Sequence, residues 1–155
     1  MGVRYEYFAA ADDGAAAAVV ETGLGLVRGA TDVGFVPGAP VLGPDPVSEL
    51  TGLEAILLGL DDAAALDLIS RPDCGRWIAG EPDAMFVVTV ARGTVDALLA
   101  ADHDTLAAAV EPWSRIEEFY GQWPPAMLLA VAEAIRALFA GAEADGVTPY
   151  VLISL

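Results

Sequence analysis

The only histidine of the chain lies between two acids, in Asp102-His103-Asp104. Carboxylates raise the pKa of an adjacent imidazole, and together these groups form a mixed nitrogen and oxygen ligand set for a divalent metal. A small metal-dependent hydrolase that uses His103 and carboxylates is therefore one functional hypothesis. An Asp between two predicted helices is also the expected helix cap, so the segment has a structural alternative. We favour that alternative and assign no metal ligand.

Cys74 is the only cysteine, and arginines on both sides of it favour a thiolate. A thiolate nucleophile also needs a base, and His103 is the sole candidate. Nothing in the sequence places the two side chains together, so we expect a semi-buried, inert thiol. A single cysteine forms no intrachain disulfide, which fits a reducing compartment, and we predict a cytoplasmic protein.

Two further patterns suggest catalysis or cofactor binding, but each also has an explanation without a functional role. Adjacent acids suit paired catalytic carboxylates, but 23 acids in 155 residues make such pairs expected by chance. The pattern Gly23-x-Gly25-x-x-x-Gly29 resembles a dinucleotide-binding loop, but a Rossmann turn follows a strand and precedes a helix, whereas this pattern follows an Ala-rich helix. The acid pairs are Asp61-Asp62, Glu81-x-Asp83 and Glu117-Glu118. We therefore assign no catalytic residue and no cofactor, and we favour a protein that is not an enzyme.

The charge balance excludes whole classes of partner. Seven arginines and no lysine face 23 acids, for a net charge of −16. This field repels nucleic acid and anionic membranes, and it attracts a protein with a basic surface. The longest apolar stretch, Ala126–Ala140, is shorter than the roughly 20 residues of a membrane span, so we expect no membrane segment.

Four of the twelve aromatic residues fall within eleven positions and are interleaved with acids. Aromatic anchors among charged residues are typical of partner surfaces. The predicted partner-binding residues are Trp113, Glu117, Glu118, Phe119, Tyr120 and Trp123. Rings packed beneath the following helix give the same pattern, and a homodimer seam is a further alternative.

The predicted elements form an α+β pattern. Strands are expected at about 3–9, 85–91 and 149–154, the second of them central because its apolar run is nearly continuous. Helices are expected after Asp12, after the capping-box pattern Thr51-x-x-Glu54, from the acid pair at 61–62 to Ile69, after Thr94 and Asp104, and from about 125 to 144. Residues 23–46 are rich in Gly and Pro and indicate a loop, with an edge strand near Val33–Val36.

The two ends of the chain carry a family resemblance. The opening Met1-Gly2-x-x-x-x-Tyr7-Phe8-x-x-x-Asp12, the 117–119 segment and the closing long helix, turn and strand resemble small bacterial proteins classed as domains of unknown function. The resemblance implies an intracellular α+β domain and no particular activity.

These observations predict one α+β domain over residues 1–155, with a small mixed sheet of three or more strands covered by five or more helices. The functional hypothesis is a non-enzymatic protein-binding module of the inhibitor or immunity-protein kind. It would engage a basic partner through its anionic surface and the 113–123 segment.

Overall fold

The computed structural model describes residues 2–27 and 41–155, without the side chains of 24–27. A single sheet and six α-helices make up this part of the chain. In chain order the elements are β1 (Arg4–Ala10), α1 (Asp13–Val27), β2 (Val41–Gly43), α2 (Glu49–Leu58), α3 (Asp62–Ile69), β3 (Trp77–Gly80), β4 (Met85–Thr89), α4 (Arg92–Ala100), α5 (His103–Trp113), a 3₁₀ turn (Glu117–Phe119), α6 (Pro125–Asp145) and β5 (Thr148–Ser154). The predicted α+β class is confirmed.

The sheet has the strand order β2-β1-β5-β4-β3, and every pairing is antiparallel. The expectation of a mixed sheet was therefore wrong. The apolar patterns identify strands but do not encode their directions, which depend on the sheet edge that each connecting helix reaches. The closing strand β5 pairs with both β1 and β4, and β4 is an interior strand as predicted.

Each face of the sheet covers its own apolar cluster. One cluster joins alternate sheet residues, such as Tyr7, Val88 and Val151, to α2, α4, α5 and α6. The other joins Phe8, Tyr150 and their neighbours to α1. The result is a three-layer arrangement with one helix on one face and the larger helical layer on the other.

Several helix ends follow the predicted local chemistry. The carboxylates of Asp12, Asp61 and Asp102 each accept a hydrogen bond from the backbone N–H three residues later, at 2.8 Å. Gly59 and Gly146 end α2 and α6 in the left-handed conformation that glycine adopts without steric cost. These signals are local, which explains why the sequence reveals them.

Other local predictions were wrong or incomplete. Thr51 and Glu54 do not form a capping box: α2 has already begun at Glu49, the Thr51 hydroxyl donates to the carbonyls of Val47 and Ser48, and Glu54 is turned inward. Strands β2 and β3 were not predicted, since each has only three or four residues. The strand predicted near Val33–Val36 lies outside the described residues.

Helix α6 extends to Asp145, beyond the apolar stretch recognised in the sequence. At 21 residues it is long and apolar enough to cross a membrane by length and composition alone. The core helix of a globular protein passes the same test. Five residues of α6 at helical spacing are buried and form one face of the helix: Leu128, Ala132, Ile135, Phe139 and Ala142.

A buried ion pair ties the helical layer together. Glu54 is 1% exposed, and its two oxygens accept hydrogen bonds from the Arg71 guanidinium at 2.8 and 2.7 Å. The Thr94 hydroxyl donates to Glu54 Oε2 at 2.5 Å. The helix start at Gly93 closes over this pair, because a Cβ there would collide with the guanidinium. The cluster thus joins α2, the chain just after α3, and α4.

We expect Glu54→Gln to lower the free energy of unfolding by about 3 kcal/mol, because it leaves the Arg71 charge without its counter-ion. Arg71 is 24% exposed, which places the effect at the lower end of the range for buried pairs. Urea unfolding, with the slope unchanged, measures the difference. Glu143→Gln is the matched control, because Glu143 forms a bidentate pair with Arg92 at the surface. Equal unfolding midpoints for the two variants would contradict this assignment.

Candidate partner-binding groove

Helix α3 buries none of its residues, although six of its eight residues are aliphatic or alanine. Leu66 is 66% exposed and Ile69 is 39% exposed. Together with Asp62 and Ala65 they occupy positions i, i+3, i+4 and i+7, which form one face of a helix. This spacing usually marks the face that packs into a core, but here the face borders an open groove.

The groove has a volume of about 510 Å³, within the range of small-ligand and peptide sites. Three elements line it: α2, α3 and the turn at 116–118. The lining residues are Ser48, Thr51, Gly52, Ala55, Ile56, Leu60, Asp62, Ala65, Leu66, Ile69, Ile116, Glu117 and Glu118.

Most of the side chains that line the groove are apolar or small. Ser48, the N-cap of α2, is followed at helical spacing by Gly52 and Ala55, and Ile56 of α2 also lines the groove. Leu66 and Ile69 line it from α3, and Ile116, whose side chain lies close to Gly52, lines it from the turn that follows α5. The interior of the groove is thus largely apolar.

Three carboxylates line the groove, Asp62 from α3 and Glu117 and Glu118 from the 116–118 turn. All three residues are exposed. Within residues 2–27 and 41–155, none of the three is paired with a cation. The six arginines of these residues all pair with other carboxylates: Arg4, Arg71, Arg76, Arg92, Arg115 and Arg136.

The surplus of negative charge also acts on Glu49, at the start of α2. Burial raises the pKa of Glu49, a hydrogen bond from the Asp45 N–H opposes that rise, and the Asp45 and Glu118 carboxylates add to it. A neighbouring cation would relieve this repulsion. The electrostatics of the region therefore favour a positively charged occupant.

The six predicted partner-binding residues do not form one surface. Trp113 is fully buried and Phe119 is 2% exposed, so the prediction that these two rings face a partner was wrong. The Trp113 indole N–H donates to the Glu49 carbonyl at 2.8 Å, and its ring meets Phe119 edge-on at 5.2 Å. The alternative interpretation placed these rings in the core beneath the following helix; both lie in the core, but Trp113 makes these contacts with α2 and with Phe119.

The other four members of the set reach the surface to different extents. Trp123 is half-buried and packs against Phe119. Tyr120 is 84% exposed and has a φ of +48°, a conformation that non-glycine residues rarely adopt. Tyr120 does not line the groove, whereas Glu117 and Glu118 do. A contact role for these four residues stays a prediction.

The residues considered for chemistry have separate partners. His103 Nδ1 lies 2.6 Å from Glu133 Oε1 on an exposed surface, and Asp102 caps α5. Burial raises the pKa of Cys74 more than Arg71 lowers it, so the arginines do not activate the thiol as the sequence suggested. In the described part of the chain no group of three or more His, Cys, Asp or Glu residues is arranged to hold a metal ion.

Sequence reasoning missed Leu66, Ile69 and Ile116 as functional candidates. The helical spacing of apolar residues on α3 could have revealed Leu66 and Ile69. The same spacing, however, is typical of a helix that packs into a core. The two meanings are separated only in the tertiary structure, where no element of the described residues 2–27 and 41–155 buries that face. Comparison of the chain with protein-family models, curated proteins and solved structures gives no match.

We expect Trp113→Ala to lower the free energy of unfolding by about 3–5 kcal/mol, because it empties a large core site and removes the hydrogen bond to Glu49. Tyr120→Ala should change it by less than about 0.5 kcal/mol, because the ring is mostly in solvent. Thermal or urea unfolding of both variants gives the comparison. A small effect at Trp113 together with a large one at Tyr120 would reverse the assignment of core and surface.

Proposed function

We propose that this protein is a non-enzymatic binding module, of the inhibitor or immunity-protein kind, that captures a basic protein partner in the groove between α2, α3 and the 116–118 turn. The observation that carries the proposal is an apolar groove lined by three carboxylates that pair with no cation among the described residues. A cytoplasmic location and a partner other than nucleic acid or membrane belong to the same proposal.

Affinity and specificity come from different parts of this groove. Burying the exposed side chains of Leu66, Ile69 and Leu60 removes apolar surface from water, at about 25 cal/mol per Å². The carboxylates of Asp62, Glu117 and Glu118 reject acidic sequences and accelerate the approach of basic ones. A net charge of −16 extends the same attraction beyond the groove.

A library of displayed random peptides tests the proposal without assuming a partner. We expect the peptides selected on the wild-type protein to be cationic and rich in aliphatic residues. Leu66→Asp should lower their affinity at least tenfold, because it places a charge in the apolar interior of the groove. Glu117→Lys combined with Glu118→Lys should also lower it about tenfold, and binding should weaken between about 50 and 500 mM salt.

Two matched variants control for general effects of charge and apolar surface. Leu42→Asp alters another exposed leucine, 54% exposed on the edge strand β2, and Glu81→Lys with Asp83→Lys reverses two exposed acids in the turn before β4. Both variants should bind the selected peptides as the wild-type protein does. Selection of neutral or acidic peptides, or equal losses in the groove and control variants, would refute the proposal.

A further inference from the structure

The groove offers few free backbone N–H or C=O groups to a bound segment. Its described lining residues lie on α2 and α3, at the ends of these helices or on a short turn, and none of them belongs to a strand. In the interior of each helix the N–H and C=O groups are used by the helix itself, so free backbone groups are confined to the helix ends and the turn. A segment laid into this apolar surface must therefore satisfy its own backbone hydrogen bonds, since buried unpaired amides are costly. Among regular conformations only a helix does so within a single segment.

Other modes of peptide recognition lack their required features here. Strand addition needs an exposed sheet edge, but the edge strands β2 and β3 have three and four residues, and β3 pairs irregularly with β4. Polyproline recognition needs an aromatic-lined groove, and none of the described residues that line this groove is aromatic. Phosphopeptide recognition needs an arginine cluster, whereas this lining is acidic.

The length of the groove also matches a helix. The small residues of α2 extend from Ser48 to Ala55, and the stripe of α3 extends from Asp62 to Ile69. Each covers seven steps along a helix, or about 10 Å at 1.5 Å per residue. This distance equals the span between anchor residues i and i+7 of a docked helix.

The carboxylates lie on two walls of the groove, Asp62 on α3 and the two glutamates on the 116–118 turn. A helix lying between these walls presents apolar anchors to α2 and has a flank toward each wall. Complementary charge then requires cationic residues on both flanks of the apolar stripe. This arrangement is an amphipathic basic helix.

We infer that the groove binds a single amphipathic helix of two to three turns in its partner, with aliphatic anchors at i, i+3 or i+4, and i+7 and with Arg or Lys on both flanks. The inference rests on the proposed function, because it specifies the form of the partner segment that the groove accepts. The occupant is a segment of another protein that folds or docks as a helix.

The test uses the full chain and three labelled synthetic peptides of about 15 residues with identical composition apart from one position. The first carries leucines at the anchor spacing and arginines on both flanks. The second has a proline at its centre, which breaks the helix, and the third distributes the same residues with a period of two. Fluorescence anisotropy gives the affinity, and circular dichroism of the mixture reports helix formation on binding.

We expect the first peptide to bind at least tenfold more tightly than the other two, to gain helix on binding, and to lose at least tenfold affinity for Leu66→Asp but not for Leu42→Asp. If all three peptides bind equally and all are weakened by Leu66→Asp, the helical form is wrong while the groove remains the binding site. If none binds, or if the two leucine variants behave alike, both the inference and the proposed function are wrong.

Discussion

A buried carboxylate determines how the helical layer is arranged. Glu54 has almost no contact with water, so its charge must be met by the Arg71 guanidinium and the Thr94 hydroxyl. These partners lie just after α3 and within α4, which fixes the C-terminal end of α3 against α2. The turn at Gly59 fixes its other end. Helix α3 is thus held at both ends, and no other element in the described part of the chain buries Leu66 or Ile69 on its apolar face.

The same electrostatics account for the character of the groove. The chain has few cations, and every arginine in its described part is already paired with a carboxylate. Within the described residues, the acids that remain, including those beside the groove, have no cationic partner. An apolar interior beside these acids favours an occupant that is itself both apolar and cationic, and the scarcity of free backbone groups along the helix interiors favours a helical one.

The 113–123 segment illustrates why composition identifies a region but does not assign its roles. Tryptophan, phenylalanine and acids in alternation suit both a partner surface and a core edge. In the structure Trp113 and Phe119 pack inward, whereas Glu117 and Glu118 face the groove and Tyr120 faces solvent. The segment therefore contributes carboxylates to the candidate site while its two buried rings support the fold beneath it.

The sequence by itself determined the features that depend on near neighbours along the chain. These include the α+β class, the apolar strand at 85–91, the capping aspartates and the glycine that ends each of α2 and α6, because caps and periodicities act within a few residues. Only the tertiary structure decided the direction of the strands, the existence of the short edge strands, the inward turn of Glu54 and the exposure of Leu66 and Ile69. Each of these depends on which distant element packs nearby, and no local pattern contains that information.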